Sequence, residues 1–460
     1  MLDYFHRNRL LNAAELKARK NIGSRRESRQ ALSIEKPKIK LTQETKKVLD
    51  LLENSNQNIF LTGRAGTGKS TLLKYFRATT KKNVAVVAPT GIAAINVQGQ
   101  TLHSFFKFRP GITLDQVVKK YPNQTKIYKN LDTLVIDEIS MVRADLFDCV
   151  EKFLRLNGPN KHKPFGGVQI IGIGDPFQLP PVLRKEEEDA FFRIYRNRHF
   201  FCAKAFIDAS FRIFELQTVH RQNDKQFIEI LDSFRVGKPS PDQLNIINQR
   251  LIEYESPETL AITIVPTNRM SQEINFHHLQ RLPTKHKAYE GEVLGVFNEE
   301  NLPTAKKLFL KEGAQVVVLQ NDPKGRWVNG DLGKIISMGD EGVRVFFEDG
   351  TYEDITQSTW EMYEFIFDEE EQKIVPEPIG AFKQLPLKLA WAMTIHKAQG
   401  QTYDQVIVDF GSGTFEAGQA YVALSRCKTL QGLHLKTPLI SRHFITDPLV
   451  TQFMSQNTLS

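Results

Sequence analysis

Cysteine is scarce: the 460 residues hold three, Cys149, Cys202 and Cys427, far apart and without a C-x-x-C pair. That spacing excludes a disulfide framework and offers no zinc or iron–sulfur ligand set, so a reducing compartment suits the chain best. Long hydrophobic runs are missing too. No stretch approaches the ~18 apolar residues of a membrane span, and the N-terminus lacks the apolar core of a secretory signal. Excess charge of one sign is confined to one end. The net charge is +8, but residues 1–40 alone carry eleven Lys or Arg against four Asp or Glu, so the body of the chain is nearly neutral. This tail has three readings: a solvated, disordered segment, an arm that touches nucleic acid, or a mitochondrial targeting peptide, against which Glu15, Glu27 and Glu35 weigh.

What the chain does have, from residue 41 on, is an alternation of helices and short apolar strands. An amphipathic stretch "TQETKKVLDLLEN" precedes "NIFLTG", "VAVVAPT", "LDTLVIDE" and "VQIIGIGD". Apolar runs without period-2 alternation suit strands buried on both faces, and the helices between them imply parallel pairing in a doubly wound sheet. A second set begins near "FRIFELQ", continues through "AITIVPTN" and resumes at "WAMTIHKAQG", "QVIVDFG" and "GLHLKTP". The length requires several domains. The expected organisation is a tail at 1–40, a first α/β lobe at 41–213 with a small insertion at about 106–128, and a second lobe at 214–290 and 387–460. The interruption at 291–386 has Gly-Asp and Asp-Gly turns between short strands and little helical period, as a small antiparallel barrel would.

Two segments carry nucleotide chemistry. "GRAGTGKS" (63–70) fits G-x-x-x-x-G-K-[ST] between a strand and a helix. Gly63, Gly66 and Gly68 let the backbone curl with its N–H groups toward phosphate oxygens, and the helix adds its positive end. The phosphate cradle is then Gly63, Ala65, Gly66, Thr67, Gly68, Lys69, Ser70 and Thr71, with Lys69 on the β- and γ-phosphates and Ser70 on Mg²⁺. "LVIDEIS" delivers Asp137 and Glu138 at a strand's carboxyl end, where open α/β sheets bind ligands. Asp137 would hold Mg²⁺ and Glu138 would orient and polarise the attacking water.

A third segment, "GDPFQLPPV" (174–182), sets Gln178 in a proline-stiffened loop. Gln178 either senses the γ-phosphate or only satisfies backbone groups of the turn. Charge in the transition state also needs an arginine, and a two-lobe chain can supply one from its second lobe. Arg221 in "VHRQND" and Arg426 in "AYVALSRCK" are the candidates, each with an ordinary surface role as the alternative.

Taken in order, "GRAGTGKS", "APTGIAA", "GQTLHSFF", "LVIDEIS", "GDPFQLPPV", "VHRQND", "MTIHKAQGQT" and "AYVALSRC" resemble the motifs of superfamily 1 helicases, most closely the Pif family of DNA helicases. The stretch "MVRADLFDCVEKFLRLNGPNKHKPFGG" resembles that family's signature, and the similarity covers about residues 41–445. It implies two RecA-like lobes, an SH3-like barrel in the second, ATP between the lobes, and 5′ to 3′ translocation on single-stranded DNA with unwinding of duplex, forked or G-quadruplex DNA. By motif position it gives Lys69, Ser70, Asp137, Glu138, Gln178, Arg221 and Arg426 the roles argued above and sets Gly400 and Gln401 beside the phosphates.

Two places depart from the family pattern. The adenine-reading glutamine is replaced by Thr45, with Gln43 two residues early, and Pro176 stands where an aromatic or aliphatic residue is usual. The expected partners are single-stranded DNA and its junctions with duplex, with no membrane and a monomer in solution. The expected location is cytoplasmic and nucleoid-associated for a bacterial chain, with mitochondrion or nucleus as the alternatives.

A translocase needs sequence-independent backbone contacts and aromatic faces across both lobes. The candidates are Pro89, Thr90 and Gly91, then His103, Ser104 and Phe105, then Thr267 and Asn268, and finally His396 and Lys397. Core packing is the competing reading for Phe105, its neighbour Phe106, and His103. Two other functions stand beside the helicase: a RecD-like translocase with weak unwinding, and an ATP-switched DNA clamp.

Overall fold

The computed structural model describes residues 41–222, 224–252, 260–297 and 299–457; the basic tail and its three readings lie outside them. The first lobe runs α1 (Gln43–Asn54), β1 (Ile59–Gly63), α2 (Lys69–Thr79), β2 (Val84–Ala88), α3 (Gly91–Asn96), β3 (Gln100–Thr101), α4 (Leu102–Phe106), α5 (Lys126–Lys129), β4 (Thr133–Ile136), α6 (Ala144–Asn157), β5 (Gln169–Ile173), α7 (Lys185–Phe192), α8 (Lys204–Asp208) and β6 (Arg212–Leu216). Its six strands form one parallel sheet in the order β3-β2-β4-β5-β1-β6. Every residue of β1, β4 and β5 is buried, because helices cover both faces; the buried polar Thr133 and Gln169 meet each other, the Thr133 hydroxyl donating to Gln169 Oε1 at 3.0 Å.

The second lobe contains α9 (Lys225–Arg235), α10 (Pro241–Asn248), β7 (Ile262–Val265) and α11 (Asn268–Arg281) before its insertion. The insertion holds β8 (Lys287–Glu290), β9 (Glu292–Gly295), β10 (Lys307–Leu310), β11 (Gln315–Val318), β12 (Leu332–Met338), β13 (Gly342–Phe347), β14 (Tyr352–Thr356), β15 (Ser358–Asp368), β16 (Lys373–Gln384) and β17 (Leu387–Leu389). The lobe then resumes with β18 (Ala392–Thr394), α12 (Ile395–Ala398), β19 (Val406–Val408), α13 (Gln419–Leu424) and β20 (Leu433–Leu435), and α14 (Pro448–Asn457) follows. Its parallel sheet has the order β18-β7-β19-β20. The insertion is antiparallel, with a five-stranded sheet β14-β13-β12-β11-β17.

Three boundaries differ from the sequence reading. Strand β6, expected to open the second set, pairs with β1 from Ile59↔Arg212 to Gly63↔Leu216 and completes the first sheet, so that lobe ends at 216. Strands β8 and β17 pair within the insertion, which therefore spans 287–389. Helix α14, assigned to the second lobe, packs on the first. Phe453 stacks on Phe201 with ring centroids 4.2 Å apart and planes 3° from parallel, and Val450 and Met454 are buried in the first lobe's core. The apolar side of a terminal helix goes to whichever uncovered apolar face lies within reach, and periodicity alone does not say which.

The long hairpin β15–β16 also leaves its own domain and reaches the first lobe. Phe365 N donates to Gln100 Oε1 at 2.9 Å, Ile374 N donates to Asn83 Oδ1 at 3.2 Å, and Phe365 and Ile374 join the first lobe's core. Lys107 pairs with Glu364, and Lys126 with Glu369. Between this hairpin and the short insertion around α5 lies a cavity of about 520 Å³, lined in part by Lys107, Lys120 and Lys126. No helix of the described residues is long and apolar enough to cross a membrane, and the three cysteines are free.

Candidate active site between the lobes

The phosphate cradle sits where β1 turns into α2. Gly66 has φ +81°, and a Cβ there would come within 2.3 Å of Arg221 Cβ, so the loop tolerates no side chain where the second-lobe arginine approaches. Lys69 Nζ donates to the carbonyls of Gly63 (2.6 Å) and Arg64 (2.9 Å), acceptors that phosphate oxygens can replace. Burial lowers the Lys69 pKa, against the opposing pull of Asp175 and Glu138. Ser70 and Thr71 lie exposed in the first turn of α2.

Strand β4 ends at Ile136 and delivers both carboxylates. Burial pushes Asp137 up to about 6, and burial together with the Asp137 charge pushes Glu138 up to about 7. Glu138 holds a left-handed backbone (φ 49°, ψ 41°), a conformation costing about 1 kcal/mol or more for a side chain of this kind, which turns its carboxylate out of the strand and into the cleft.

The stiff loop has an answer for Gln178. The Gln178 amide Nε2 donates to Asp175 Oδ2 at 3.3 Å while its Oε1 accepts from Gln399 Nε2 of the second lobe at 3.3 Å. It thus braces its own turn and faces across the cleft at once. Asp175 is fully buried and paired with Arg235 of α9 at 3.0 Å; the same guanidinium reaches Glu215 at 3.1 Å and lies over the Phe177 ring. Gly418 presses on this loop from the second lobe, since a Cβ there would stand 2.4 Å from the Gln178 carbonyl oxygen.

Both candidate arginines converge here. Arg221 Nη2 donates to the Gly400 carbonyl at 3.0 Å, while its Nη1 is buried with no hydrogen-bond partner. Arg426 is among the most deeply buried side chains and donates to the carbonyls of Val422, Ala398 and Gln401. Burial, with Arg221 nearby, lowers Arg426 to about 9. Its hydrogen-bond acceptors are all neutral oxygens, so an anionic phosphate would add a directly bonded charge to the more distant one of Glu138. Glu138 and Arg426 are close enough for their charges to interact, which places them around one volume.

The residues expected along the nucleic-acid track fall at the starts of helices. Thr90 caps α3 by accepting from Ala93 N, and Thr267 caps α11 by accepting from Met270 N. A capping hydroxyl spends its lone pair on the helix and keeps its proton free to donate, and the α11 N-terminus presents amides suited to phosphate. Pro89 is half-buried beside Thr90, Gly91 is covered by the Asn301 side chain, and Asn268, Ser104, His396 and Lys397 are exposed. His103 is half-buried, and burial lowers its pKa. Phe105 is a correction: it is 3% exposed, edge-on to Phe106, Tyr128 and Phe365, and belongs to the core. Gln43 is exposed in the first turn of α1, and Thr45, in the adenine-reading position, returns its hydroxyl to the Thr42 carbonyl.

Four side chains at the cleft carry no mark in the sequence reading. Gln399 bridges Glu138 and Gln178, Arg235 and Asp175 form the buried pair, and the Tyr421 hydroxyl accepts from the Ala65 amide of the phosphate loop at 2.9 Å. Gln399 adjoins the assigned Gly400 and Gln401, so its motif was found and only the residue missed. Asp175 and Tyr421 likewise lie inside quoted segments, "GDPFQLPPV" and "AYVALSRC", without an assigned role, and only Arg235 falls outside every such segment.

This arrangement has relatives. A family model described as PIF1-like helicase matches residues 40–244. The chain is 35% identical over 438 residues to the ATP-dependent DNA helicase PIF1 of Xenopus laevis, covering 91% of this chain and 64% of that protein, so it spans less than two thirds of that relative's length. It is 32% identical over 438 residues to the ATP-dependent DNA helicase Pif1 of Bdellovibrio bacteriovorus, covering 91% of this chain and 92% of the relative. The crystal structure of Bacteroides sp. Pif1 in complex with ADP-AlF4 superposes with a TM-score of 0.85 at 34% identity, over 91% of this chain and 97% of that one. The Bacteroides Pif1 structure bound to ssDNA gives 0.65 at 35% identity over the same shares. With the ordered motifs, the two-lobe architecture and a relative matched along nearly its whole length, the chain belongs to the PIF1-like helicase family.

Proposed function

We propose that this protein is an ATP-dependent DNA helicase that moves 5′ to 3′ along single-stranded DNA and separates the duplex ahead of it, with forked and G-quadruplex DNA within its range. The observation that carries this reading is the convergence of Arg221 and Arg426 from the second lobe on the Lys69 and Glu138 cleft of the first, with Arg221 Nη1 buried and unpartnered. Hydrolysis then depends on how the lobes sit together, and a motor that steps by lobe movement needs that dependence. In the reaction, Lys69 steadies the β- and γ-phosphates, Glu138 accepts a hydrogen bond from the attacking water, and the arginines offset charge on the transferred group. A carboxyl pushed up to about 7 is suited to taking a proton near neutral pH.

The oxygen donors Ser70 and Asp137 fit Mg²⁺, which prefers one or two protein oxygens and leaves its other positions to water and phosphate. Bound between them it would neutralise charge on the β- and γ-phosphate oxygens.

Strand displacement on duplexes with a 5′ or a 3′ single-stranded tail, run beside ATPase with and without single-stranded DNA, tests this function. Unwinding of the 5′-tailed substrate only, with DNA-stimulated hydrolysis, is the expected result. Stimulated hydrolysis without displacement indicates a translocase of the RecD-like kind, and one ATP per binding event indicates a clamp.

The hairpin β15–β16 supplies no group to the cleft. Replacing residues 363–378 with a short Gly-Asn turn is expected to leave nucleotide affinity intact and to reduce unwinding more than single-strand-stimulated ATPase. An equal fall of both in a variant that melts cooperatively would show that the hairpin only buttresses the lobes.

A further inference from the structure

We propose that Gln399 is a positioning residue for hydrolysis: its side-chain amide ties Glu138 to Gln178 across the cleft and reports to both the state of the DNA-facing helix that carries it. The inference deepens the helicase reading and rests on it. Gln399 Nε2 donates to Glu138 Oε2 at 3.2 Å and to Gln178 Oε1 at 3.3 Å. An amide nitrogen has two protons, so both bonds form together, and each fixes the direction of an oxygen that would otherwise be free to swing.

The support behind Gln399 is as specific as its contacts. It closes α12, a helix of four residues whose Ile395 and Ala398 are buried in the second lobe while His396 and Lys397 face outward. The turn after it is held by both candidate arginines: Arg426 Nη1 donates to the Ala398 carbonyl (3.4 Å) and the Gln401 carbonyl (3.2 Å), and Arg221 Nη2 to the Gly400 carbonyl (3.0 Å). An arginine that turns to a phosphate gives up one of these carbonyls, and the turn shifts. Movement at His396 or Lys397 reaches Gln399 through a single helical turn, too short and too well packed to absorb it. The residue therefore stands between three events, DNA contact at one end of α12, arginine engagement around the turn, and the aim of Glu138 and Gln178.

Two substitutions test this. Gln399→Met keeps the length and apolar stem and removes both hydrogen bonds; Gln399→Glu keeps the shape and sets a carboxylate against Glu138. Affinity for a fluorescent ATP analogue, single-stranded DNA affinity by anisotropy, thermal midpoint, and ATPase with and without oligothymidine are measured for each. For Gln399→Met the expected result is unchanged KM and unchanged affinities, with DNA-stimulated kcat about 10- to 100-fold lower, the scale of loss when a reacting group is misaimed. Basal hydrolysis should fall less, so the stimulation ratio drops, and Gln399→Glu should be slower still. Wild-type kcat in either variant, or a rise in KM with kcat unchanged, overturns the proposal. So does a lowered thermal midpoint that accounts for the activity loss in both. Absence of DNA stimulation in the wild-type protein would instead remove the helicase reading itself, and is scored separately.

Discussion

Replacing Arg426 with alanine is expected to lower DNA-stimulated kcat by about 10³ or more, the scale at which an arginine acts on a phosphoryl transition state. Nucleotide affinity should change far less, because the charge Arg426 offsets is largest in the transition state and smaller in bound ATP. Arg426 is also structural: the residue is 1% exposed and its guanidinium holds the carbonyls of Val422, Ala398 and Gln401 together. Alanine alone thus confounds two losses. Arg426→Lys separates them, since it keeps a positive charge in the same volume but cannot donate in a fork to several oxygens at once. If the arginine acts on phosphate, the lysine variant folds, binds ATP and remains slow. Near-normal kcat in the lysine variant, or a defect confined to nucleotide affinity, would remove the transition-state role. Arg221→Ala should behave alike with less cost in stability, because Arg221 is only half-buried and makes a single hydrogen bond to Gly400.

The parts of this cleft that were legible in the sequence are those whose physics is local. A phosphate loop needs glycines at fixed spacing to curl, and a parallel strand covered on both faces needs an unbroken apolar run, so "GRAGTGKS" and "LVIDEIS" announce themselves within a few residues. Helix α4 was not read from the sequence, although its spacing bears on Phe105: Leu102, Phe105 and Phe106 fall at i, i+3 and i+4, the spacing of one buried face, while His103 and Ser104 fall outside it. What could not be read is everything made by chain segments that meet only in the fold. Gln399 reaches Glu138 across 261 residues, Arg235 reaches Asp175 across 60, and the hairpin residue Phe365 reaches Gln100 across 265. No period or spacing encodes such meetings. The placement of α14 belongs with them, since its apolar side suited either lobe and the stacking surface of Phe201 settled the matter.

Those long-range contacts also explain why the lobes can act as one catalytic unit. Arg64 of the phosphate loop pairs with Asp232 at 2.7 Å, Arg198 pairs with Glu416 at 2.6 Å, and His199 meets Asp447 at 3.0 Å. Each joins a first-lobe element to a second-lobe or C-terminal one. The two arginine pairs are partly exposed and individually worth at most about 1 kcal/mol, so they bias lobe closure without locking it, while His199 is buried. The buried Arg235–Asp175 pair is different: removing Arg235 takes the ion-pair partner from the fully buried Asp175, on the loop that carries Gln178, whereas without Asp175 the guanidinium still has Glu215.

Lys69→Ala is expected to reduce ATPase by about 10²–10³ or more, the loss seen when a preorganised electrostatic donor is taken from a transition state. Unwinding should disappear with it while single-stranded DNA still binds. The reasoning starts from the position of Nζ, which reaches back over the phosphate loop to the carbonyls of Gly63 and Arg64 and so lies where β- and γ-phosphate oxygens would enter. Burial lowers its pKa, so the site holds a cation at some cost, and an arriving polyphosphate relieves that cost. Removing the charge forfeits that relief in bound ATP and still more in the transition state, so kcat should fall further than affinity. The outward-facing candidates Thr90, Thr267, His396 and Lys397 do not depend on the lysine, which is why DNA affinity should survive. Lys69→Arg keeps the charge but needs more room in a loop closed by Gly66 against Arg221; it should recover nucleotide binding better than turnover. Parallel measurement of ATPase, strand displacement and single-strand anisotropy reads all three effects. Normal turnover by Lys69→Ala would displace the phosphates from this loop altogether, whereas loss of DNA binding in a folded variant would mean that the lysine also serves the DNA contacts.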